Sequence, residues 1–122
     1  MPRVADWVKD TTSTTGTGNL TLSGTAAAGY VTFFAAFGLH VRFPYVIWTD
    51  GSTEREAGIG YLSAATTLVR EHVNKSSNAN NKVNLSAGSH DVFVDLSADW
   101  ANRQTSRGVS MALASGRFFG GR

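Results

Sequence analysis

Hydrophobic and polar positions alternate along short runs of this chain, as half-buried β-strands require. Residues 19–23 read polar, apolar, polar, apolar, polar, and residues 43–49 concentrate aromatic and β-branched side chains. Runs of the same kind lie at 7–15, 66–73 and 91–96. Short strands at a spacing of roughly 8–12 residues predict an all-β (mainly β) fold, either a small β-sandwich or a barrel.

A hairpin is predicted at the centre of the chain. An Asp-Gly pair at 50–51 is a tight-turn signal between residues 43–49 and the returning run 54–62. Pro44 is expected near a strand start or at a sheet edge, because proline cannot donate a hydrogen bond to a neighbouring strand. This pair of strands is the strongest structural signal in the sequence.

The returning strand of that hairpin has two distinctive features. Gly58 and Gly60 indicate a bulge or a close approach of another backbone. Its first part, residues 54–56, is charged and is expected to be exposed. Further along, residues 82–85 predict one more short strand.

One segment has the spacing of a helix. Tyr30, Phe33, Phe34 and Phe37 recur at intervals of three and four residues, which would place them on one helical face. We expect a short helix that packs all four rings into the core at one end of the sheet. Gly38 is expected to end it.

The 122 residues fit a single domain, with a change of character near its end. Residues 1–96 are predicted to form the β body with an extended N-terminal segment, and residues 97–122 a C-terminal arm. The arm has no acidic residue after Asp99, although several arginines and an aromatic pair follow. Exposed adjacent phenylalanines promote association, so we expect this arm to be held against its own body or a neighbour.

The composition favours assembly over life as a free monomer. Charged residues make up only 16%, below the roughly 25% usual for soluble domains, and hydrophobic residues 42%. A surface rich in hydroxyl groups is easily desolvated against a partner. There are no cysteines, no apolar run long enough for a bilayer and no N-terminal signal pattern, so we expect synthesis in a cytoplasm and no membrane partner.

Candidate catalytic and metal-binding groups are few, and we expect neither an enzyme nor a cofactor. His40, His72 and His90 lack the close spacing of metal ligands. Ser89 and Asp91 flank His90, but neighbouring residues of a strand point to opposite faces and cannot form a proton relay.

Paired carboxylates were the remaining catalytic pattern. Glu54 and Glu56 would share one strand face, as a catalytic carboxylate pair requires. The favoured interpretation is instead a charged strand edge that faces solvent or an interface.

Two binding functions stay open from the residues alone. Trp48, Tyr45 and Tyr61 would line a sugar-binding face if they were exposed, although such aromatics are more often core or cross-strand pairs. The net charge of +2 is too small to indicate nucleic acid, and the arginines of the arm lack an interleaved recognition motif. For the arm, an acidic protein surface is favoured over DNA.

Three ordered blocks of the sequence resemble one family. Residues 7–24 read W-V-K-D-T-T-S-T-T-G-T-G-N-L-T-L-S-G, residues 56–61 read E-A-G-I-G-Y before T-T-L-V-R at 66–70, and residues 83–93 read V-N-L-S-A-G-S-H-D-V-F after S-S-N at 76–78. These blocks are similar to small structural proteins of tailed bacteriophages. Where the family pattern has an aromatic residue before the second block, this chain has Arg55.

The resemblance spans about residues 6–97 and implies a β module of a virion. Our leading expectation is a capsid cement or decoration protein that bridges subunits of the major capsid protein. We also expect this chain to form a homo-oligomer. A tail, baseplate or fibre-attachment protein is the first alternative, and a carbohydrate-binding receptor-recognition module is the second. The residues expected at the protein interface are Trp7, Trp100, Arg103, Arg107, Arg117, Phe118, Phe119 and Arg122.

Overall fold

The computed structural model describes residues 3–95, which form a nearly closed antiparallel barrel with one short helix. The mainly β fold and the single helix predicted from the sequence are thereby confirmed. The elements in chain order are β1 (Lys9–Thr12), β2 (Leu20–Thr21), α1 (Phe33–Phe37), β3 (Phe43–Trp48), β4 (Arg55–Ala64), β5 (Thr67–Ser76) and β6 (His90–Phe93).

The sheet has the order β1-β6-β3-β4-β5-β2, so its two outermost strands belong to the N-terminal part of the chain. They meet through a bridge between Thr12 and Leu22, and the Ser23 amide donates to the Thr11 carbonyl at 2.9 Å. The buried carboxylate of Asp10 supports this junction, because it accepts hydrogen bonds from the Ser23 hydroxyl and the Gly24 amide. Backbone pairing therefore continues around almost the whole barrel.

The central hairpin of β3 and β4 is confirmed, with Gly51 at a positive φ of 74° in its turn. Pro44 pairs with Ile59 on one side, while β6 pairs with β3 only from Val46 onward. Pro44 thus lies where its strand has a single neighbour, as a residue without an N–H requires.

Gly58 and Gly60 allow β5 to lie unusually close to β4. A Cβ at Gly58 would lie 2.1 Å from the His72 carbonyl oxygen, and one at Gly60 would lie 2.5 Å from the Val69 carbonyl oxygen. The strand register shifts next to each glycine. The predicted bulges and close backbone approach are both present.

Helix α1 begins after Thr32, whose side chain caps the Ala35 amide at 3.1 Å, and it ends at Gly38 with φ of 73°. Phe33 and Phe37 are buried and pack on Phe43, with ring centroids 5.0 and 4.7 Å apart. Burying a phenylalanine side chain contributes roughly 1.5–3 kcal/mol, so this cluster is a large part of the core.

The prediction that four aromatic rings share the core was half wrong. Tyr30 is 38% exposed and Phe34 is 48% exposed. Since the helix starts only at Phe33, Tyr30 precedes it and does not belong to its face. Phe34 lies one position along from Phe33, on the solvent side of a helix that has a little more than one turn.

The short strand predicted at 82–85 was also wrong. Only one isolated bridge occurs there, between Gly16 and Leu85. Val83 and Leu85 still point into the core, where each is at most 4% exposed.

Candidate protein interface

The outside of the barrel carries a row of residues that crosses five strands and is apolar on the middle three. Directly opposed residues of antiparallel strands share one face of the sheet. The register therefore aligns Lys9 with Phe93, Phe93 with Val46, Val46 with Ala57 and Ala57 with Lys75. The three middle residues are apolar and only half-buried. Solvent-facing sheet surfaces are normally polar, so these three residues, Phe93, Val46 and Ala57, are an exception, and we call them the central row.

A second outer row runs beside it and holds an exposed tryptophan. The register aligns Thr11 with Asp91, Asp91 with Trp48 and Trp48 with Arg55. Trp48 is 38% exposed, and the guanidinium carbon of Arg55 lies 4.0 Å from its ring centroid. This stacking holds the Arg55 side chain over the sheet rather than in open solvent.

Trp7 stands at the edge of the same face and is the most exposed large apolar residue described, at 70%. Its backbone has φ of 63°, in the left-handed region that costs a bulky residue free energy. Two hydrogen bonds hold this conformation, from the Val31 amide to the Trp7 carbonyl at 2.8 Å and from the Lys9 amide to the Val31 carbonyl at 3.2 Å. The indole is thus presented outward by a strained but well-anchored turn.

Within residues 3–95, the Trp7 ring has one aromatic neighbour. Its edge meets Tyr30 at a centroid distance of 6.2 Å, and the Lys9 ammonium lies 5.3 Å from the Tyr30 centroid. The exposed position of Tyr30, unexpected for a core residue, is explained by this contact. We call Trp7, Tyr30, Phe93, Val46, Trp48 and Ala57 the outer patch.

Two grooves flank the Phe93–Val46 pair. The first, of about 310 Å³, is lined by Trp7, Tyr30 and Phe93 among others, and we call it the Trp7 groove. The second, of about 360 Å³, is lined by Val46, Trp48 and other residues, and we call it the Trp48 groove. Apolar side chains beside grooves of this size can pack closely against the side chains of a partner protein.

The carboxylate pair suggested by the sequence does not exist as a surface site. Glu56 is 1% exposed and accepts hydrogen bonds from Arg70 at 2.9 Å, from the Tyr45 hydroxyl at 2.5 Å and from the Val83 amide at 2.7 Å. Glu54 instead accepts from Ser86 at 3.2 Å. The expectation that residues 54–56 are all exposed was therefore wrong, because Arg70 supplies a buried counter-charge.

Tyr45 belongs to this interior network and does not line a sugar-binding face. Burial raises the pKa of its phenol far above the usual range, and the adjacent Glu56 carboxylate raises it further. The phenol therefore stays protonated and donates to Glu56. Of the three aromatics considered for sugar binding, Trp48 is exposed and Tyr61 is half-buried, close to the Arg42 guanidinium.

The histidines form no cluster within residues 3–95, where no group of three potential metal ligands occurs. His90 is buried; its Nε2 donates to the Ser86 carbonyl at 2.8 Å, and its Nδ1 forms a hydrogen bond of 2.5 Å with the Thr49 hydroxyl. Asp91 lies on the outer face. The Ser89, His90 and Asp91 side chains thus form no relay, as strand geometry predicts.

Among the interface residues predicted from the sequence, Trp7 is at the edge of the outer patch. The others, Trp100, Arg103, Arg107, Arg117, Phe118, Phe119 and Arg122, lie outside the described residues, as does the predicted arm at 97–122. Sequence reasoning missed Phe93, Val46 and Arg55. A signal existed, because β3 is apolar at both alternating sets of positions, although such a run does not tell which face is outside.

Within the described part of the chain, no helix is long and apolar enough to cross a membrane. No family model, no curated protein and no solved structure matches the chain.

Proposed function

We propose that this protein is a structural component of a tailed-bacteriophage virion, a capsid cement or decoration protein that bridges subunits of the major capsid protein. The observation that carries the proposal is the outer patch, an apolar surface on the side of a barrel that normally faces water. Burying such a surface against a neighbour removes apolar area from water, which is the main driving force of association.

Trp7 supports a role in binding rather than in packing. An exposed indole gains little from the core of its own barrel, yet the chain keeps it in a strained conformation. Strain of this kind tends to be retained where it positions a side chain for function. Tryptophan and arginine are the most frequent energetic anchors of protein interfaces, and Trp7, Trp48 and Arg55 lie on one face.

The nearly closed sheet supports contact through a face rather than through strand addition. The ends of the sheet order, β1 and β2, are bridged to each other through Thr12 and Leu22. A partner at this junction therefore meets side chains rather than a free strand edge. A stable contact buries roughly 800 Å² on each partner, and repetition over a shell strengthens modest contacts by avidity.

The choice of a virion as the site of action comes from the sequence blocks at 7–24, 56–70 and 76–93, which resemble tailed-phage structural proteins. The residues that carry this resemblance build β1, β2, β4, β5 and β6, which are most of the barrel. The proposal is therefore a statement about the body of the protein and does not depend on residues 97–122.

The test is to locate the protein in purified virions whose genome encodes it. Quantitative gel analysis, with the major capsid protein as internal standard, is expected to give on the order of hundreds of copies per particle, as repeated binding over a shell requires. Immunogold labelling is expected on the head. Virions that contain no trace of the protein would show the proposal to be wrong.

The same measurement separates the alternatives. A tail, baseplate or fibre-attachment protein would occur in tens of copies or fewer and would be labelled on the tail. A carbohydrate-binding module is supported by the exposure of Trp48, although Arg55 already covers one face of its ring. Binding on a glycan array that Trp48→Ala abolishes would favour that second alternative.

A further inference from the structure

The Trp48 groove combines an apolar floor with uncompensated positive charge. Val46 and Ala57 belong to the central row, and Trp48 stands beside them. Two cationic residues, Arg55 and Lys75, also line the groove. Neither of the two takes part in a salt bridge within residues 3–95, where the ion pairs are Arg42–Glu71 and Arg70–Glu56.

The two acidic residues that flank Arg55 in the sequence direct their carboxylates elsewhere, and that of Glu54 accepts hydrogen bonds from Ser86 at 3.2 Å. Glu56 lies between Arg55 and Ala57, but its carboxylate is inside the barrel. There it is occupied by Arg70, Tyr45 and the Val83 amide. Glu56 is the acidic residue of the groove's lining, but its carboxylate is satisfied inside the barrel, and Asp91, which lies opposite Trp48, does not line the groove. Arg55 and Lys75 therefore present positive charge to solvent without a carboxylate of the lining beside them.

Arg55 is held in a form suited to a carboxylate ligand. Its guanidinium carbon lies 4.0 Å from the centroid of the Trp48 ring. Because this contact already restricts the Arg55 side chain, the guanidinium loses little further conformational entropy when a ligand binds. A stacked guanidinium keeps its in-plane N–H groups free for a bidentate hydrogen bond to a carboxylate. The apolar floor next to it suits an aliphatic or aromatic side chain.

We propose that the Trp48 groove binds a protein segment in which an acidic side chain lies next to an aliphatic or aromatic one. This inference rests on the proposed function and names the chemistry of the neighbouring virion protein at this face. Charge complementarity with Arg55 and Lys75 specifies the acidic residue, and Val46, Trp48 and Ala57 specify its apolar neighbour.

Charge also disfavours two other occupants. A two-fold contact between copies of this groove would bring Arg55 and Lys75 against the same cations of a second copy. The chain's own Asp99 and Trp100 have the chemistry of the proposed segment, so the Trp100→Ala measurement below distinguishes them from a partner. A neutral sugar stacked on Trp48 would leave Arg55 and Lys75 without a counter-charge.

The experiment uses the full chain and a blocked synthetic peptide that alternates aspartate with leucine and phenylalanine. Titration followed by NMR is expected to shift the Trp48 indole N–H and Arg55 Nε–H resonances in a saturable way. A matched peptide with asparagine at every aspartate position is expected to bind about tenfold more weakly or worse, since one lost charge pair of this kind corresponds to roughly that factor. Equal binding of the two peptides would overturn the inference.

Variants localise the effect. Arg55→Glu and Lys75→Glu are each expected to weaken binding of the acidic peptide about tenfold or more, and Arg55→Lys less, because it keeps the charge and loses the fork. Arg3→Glu makes the same change of charge at an exposed residue outside the groove and is expected to leave binding unchanged. Full binding by both groove variants contradicts the assignment.

Further outcomes identify a wrong occupant. Reversible dimerisation in sedimentation velocity that Arg55→Glu abolishes would assign the groove to a second copy. A shift of the Trp48 resonance on Trp100→Ala, without peptide, would assign it to the C-terminal part of the same chain. Either result overturns the inference.

Virion binding separates this inference from the proposed function. If wild-type protein is present in virions and Arg55→Glu attaches equally well, the groove assignment fails while the proposed function stands. If wild-type protein is absent from virions, the proposed function fails whatever the peptide does.

Discussion

Arg70 and Glu56 form a salt bridge of 2.9 Å inside the barrel, with both side chains completely shielded from solvent. Arg70 also donates to the carbonyls of Gly16 at 2.8 Å, Gly18 at 3.0 Å and Val83 at 3.0 Å. One cation thereby connects β4 and β5 to two loops that have little regular structure of their own. The pair determines where these loops lie on the barrel.

Removing one charge of this pair is expected to destabilise the folded protein strongly. Glu56→Gln leaves the Arg70 cation buried without its counter-charge, which costs about 3–5 kcal/mol in comparable sites. Urea unfolding followed by near-UV circular dichroism measures the loss. A cost below about 1 kcal/mol would mean that solvent reaches this pair.

The protein contains its own control for that variant. Arg42 and Glu71 form a bidentate pair at 2.5 and 2.6 Å, but the pair lies at the surface. Glu71→Gln makes the same chemical change with both groups hydrated, so its unfolding midpoint is expected to stay close to that of wild type. Equal losses for both variants would show that burial is not the cause.

The surface pair also gives a pH dependence of known sign. The hydrogen bond from Arg42 lowers the pKa of Glu71 in the folded protein. A carboxylate with a lowered pKa adds stability above its unfolded pKa and loses it as pH falls through the folded value. The small difference between wild type and Glu71→Gln is therefore expected at neutral pH and should vanish in acid. A difference that grows in acid would contradict this assignment.

Gly58 is expected to tolerate no side chain. The added Cβ of Gly58→Ala would lie 2.1 Å from the His72 carbonyl oxygen, so β4 and β5 must separate. Overpacking of this kind typically costs about 1–3 kcal/mol. Gly18→Ala is the matched control, since its Cβ meets nothing within 4 Å. Thermal unfolding that ranks Gly18→Ala below Gly58→Ala would refute the close approach.

Replacing Ala79 with glycine is expected to stabilise the folded protein. Residues 79 and 80 form the turn that links Asn78 to Asn81, with φ of 52° and 65°. An alanine in the left-handed region costs about 1 kcal/mol, so Ala79→Gly should raise the free energy of unfolding by roughly 0.5–1 kcal/mol. Ala87→Gly, at an exposed loop alanine outside this region, should bring no gain. Gains of equal size would point to a general effect of glycine.

Trp7→Ala is expected to separate binding from stability. Because the side chain is 70% exposed, the unfolding midpoint should change little, whereas attachment to virions should weaken about tenfold or more. Leu39→Ala removes an apolar side chain that is 43% exposed and lines neither groove, so its attachment should match wild type. Co-sedimentation with virions stripped of the protein measures both. Undiminished attachment of Trp7→Ala would remove Trp7 from the interface.

The parts of the fold that were predictable are those with local causes. The turn at Gly51 and the end of α1 at Gly38 follow from the conformational freedom of a single glycine, and the close approach at Gly58 follows from its missing side chain. The burial of Glu56 has a distant cause. Its partner Arg70 lies on another strand, and the register shifts beside Gly58 and Gly60 decide which residues of β5 face it. Alternation along one strand contains no information about those shifts.

The outer patch was unpredictable for a related reason. Phe43, Tyr45 and Ile47 alternate with Val46 and Trp48, and both sets are apolar. Only the pairing of β3 with β6 on one side and β4 on the other shows that Val46 and Trp48 face outward. Trp7 was identified because an isolated tryptophan in a hydroxyl-rich segment stands out by residue type alone.

The pairing of Lys9 with Phe93 also determines when the barrel can form during synthesis. A nascent chain that has made β1 must wait for almost the whole body to leave the ribosome before β1 finds its partner strand. Contacts so distant along the chain slow folding to the millisecond-to-second range typical of all-β domains. Until then the sheet is incomplete and its apolar inner face is partly uncovered, so the newly made chain is most prone to aggregate in that interval.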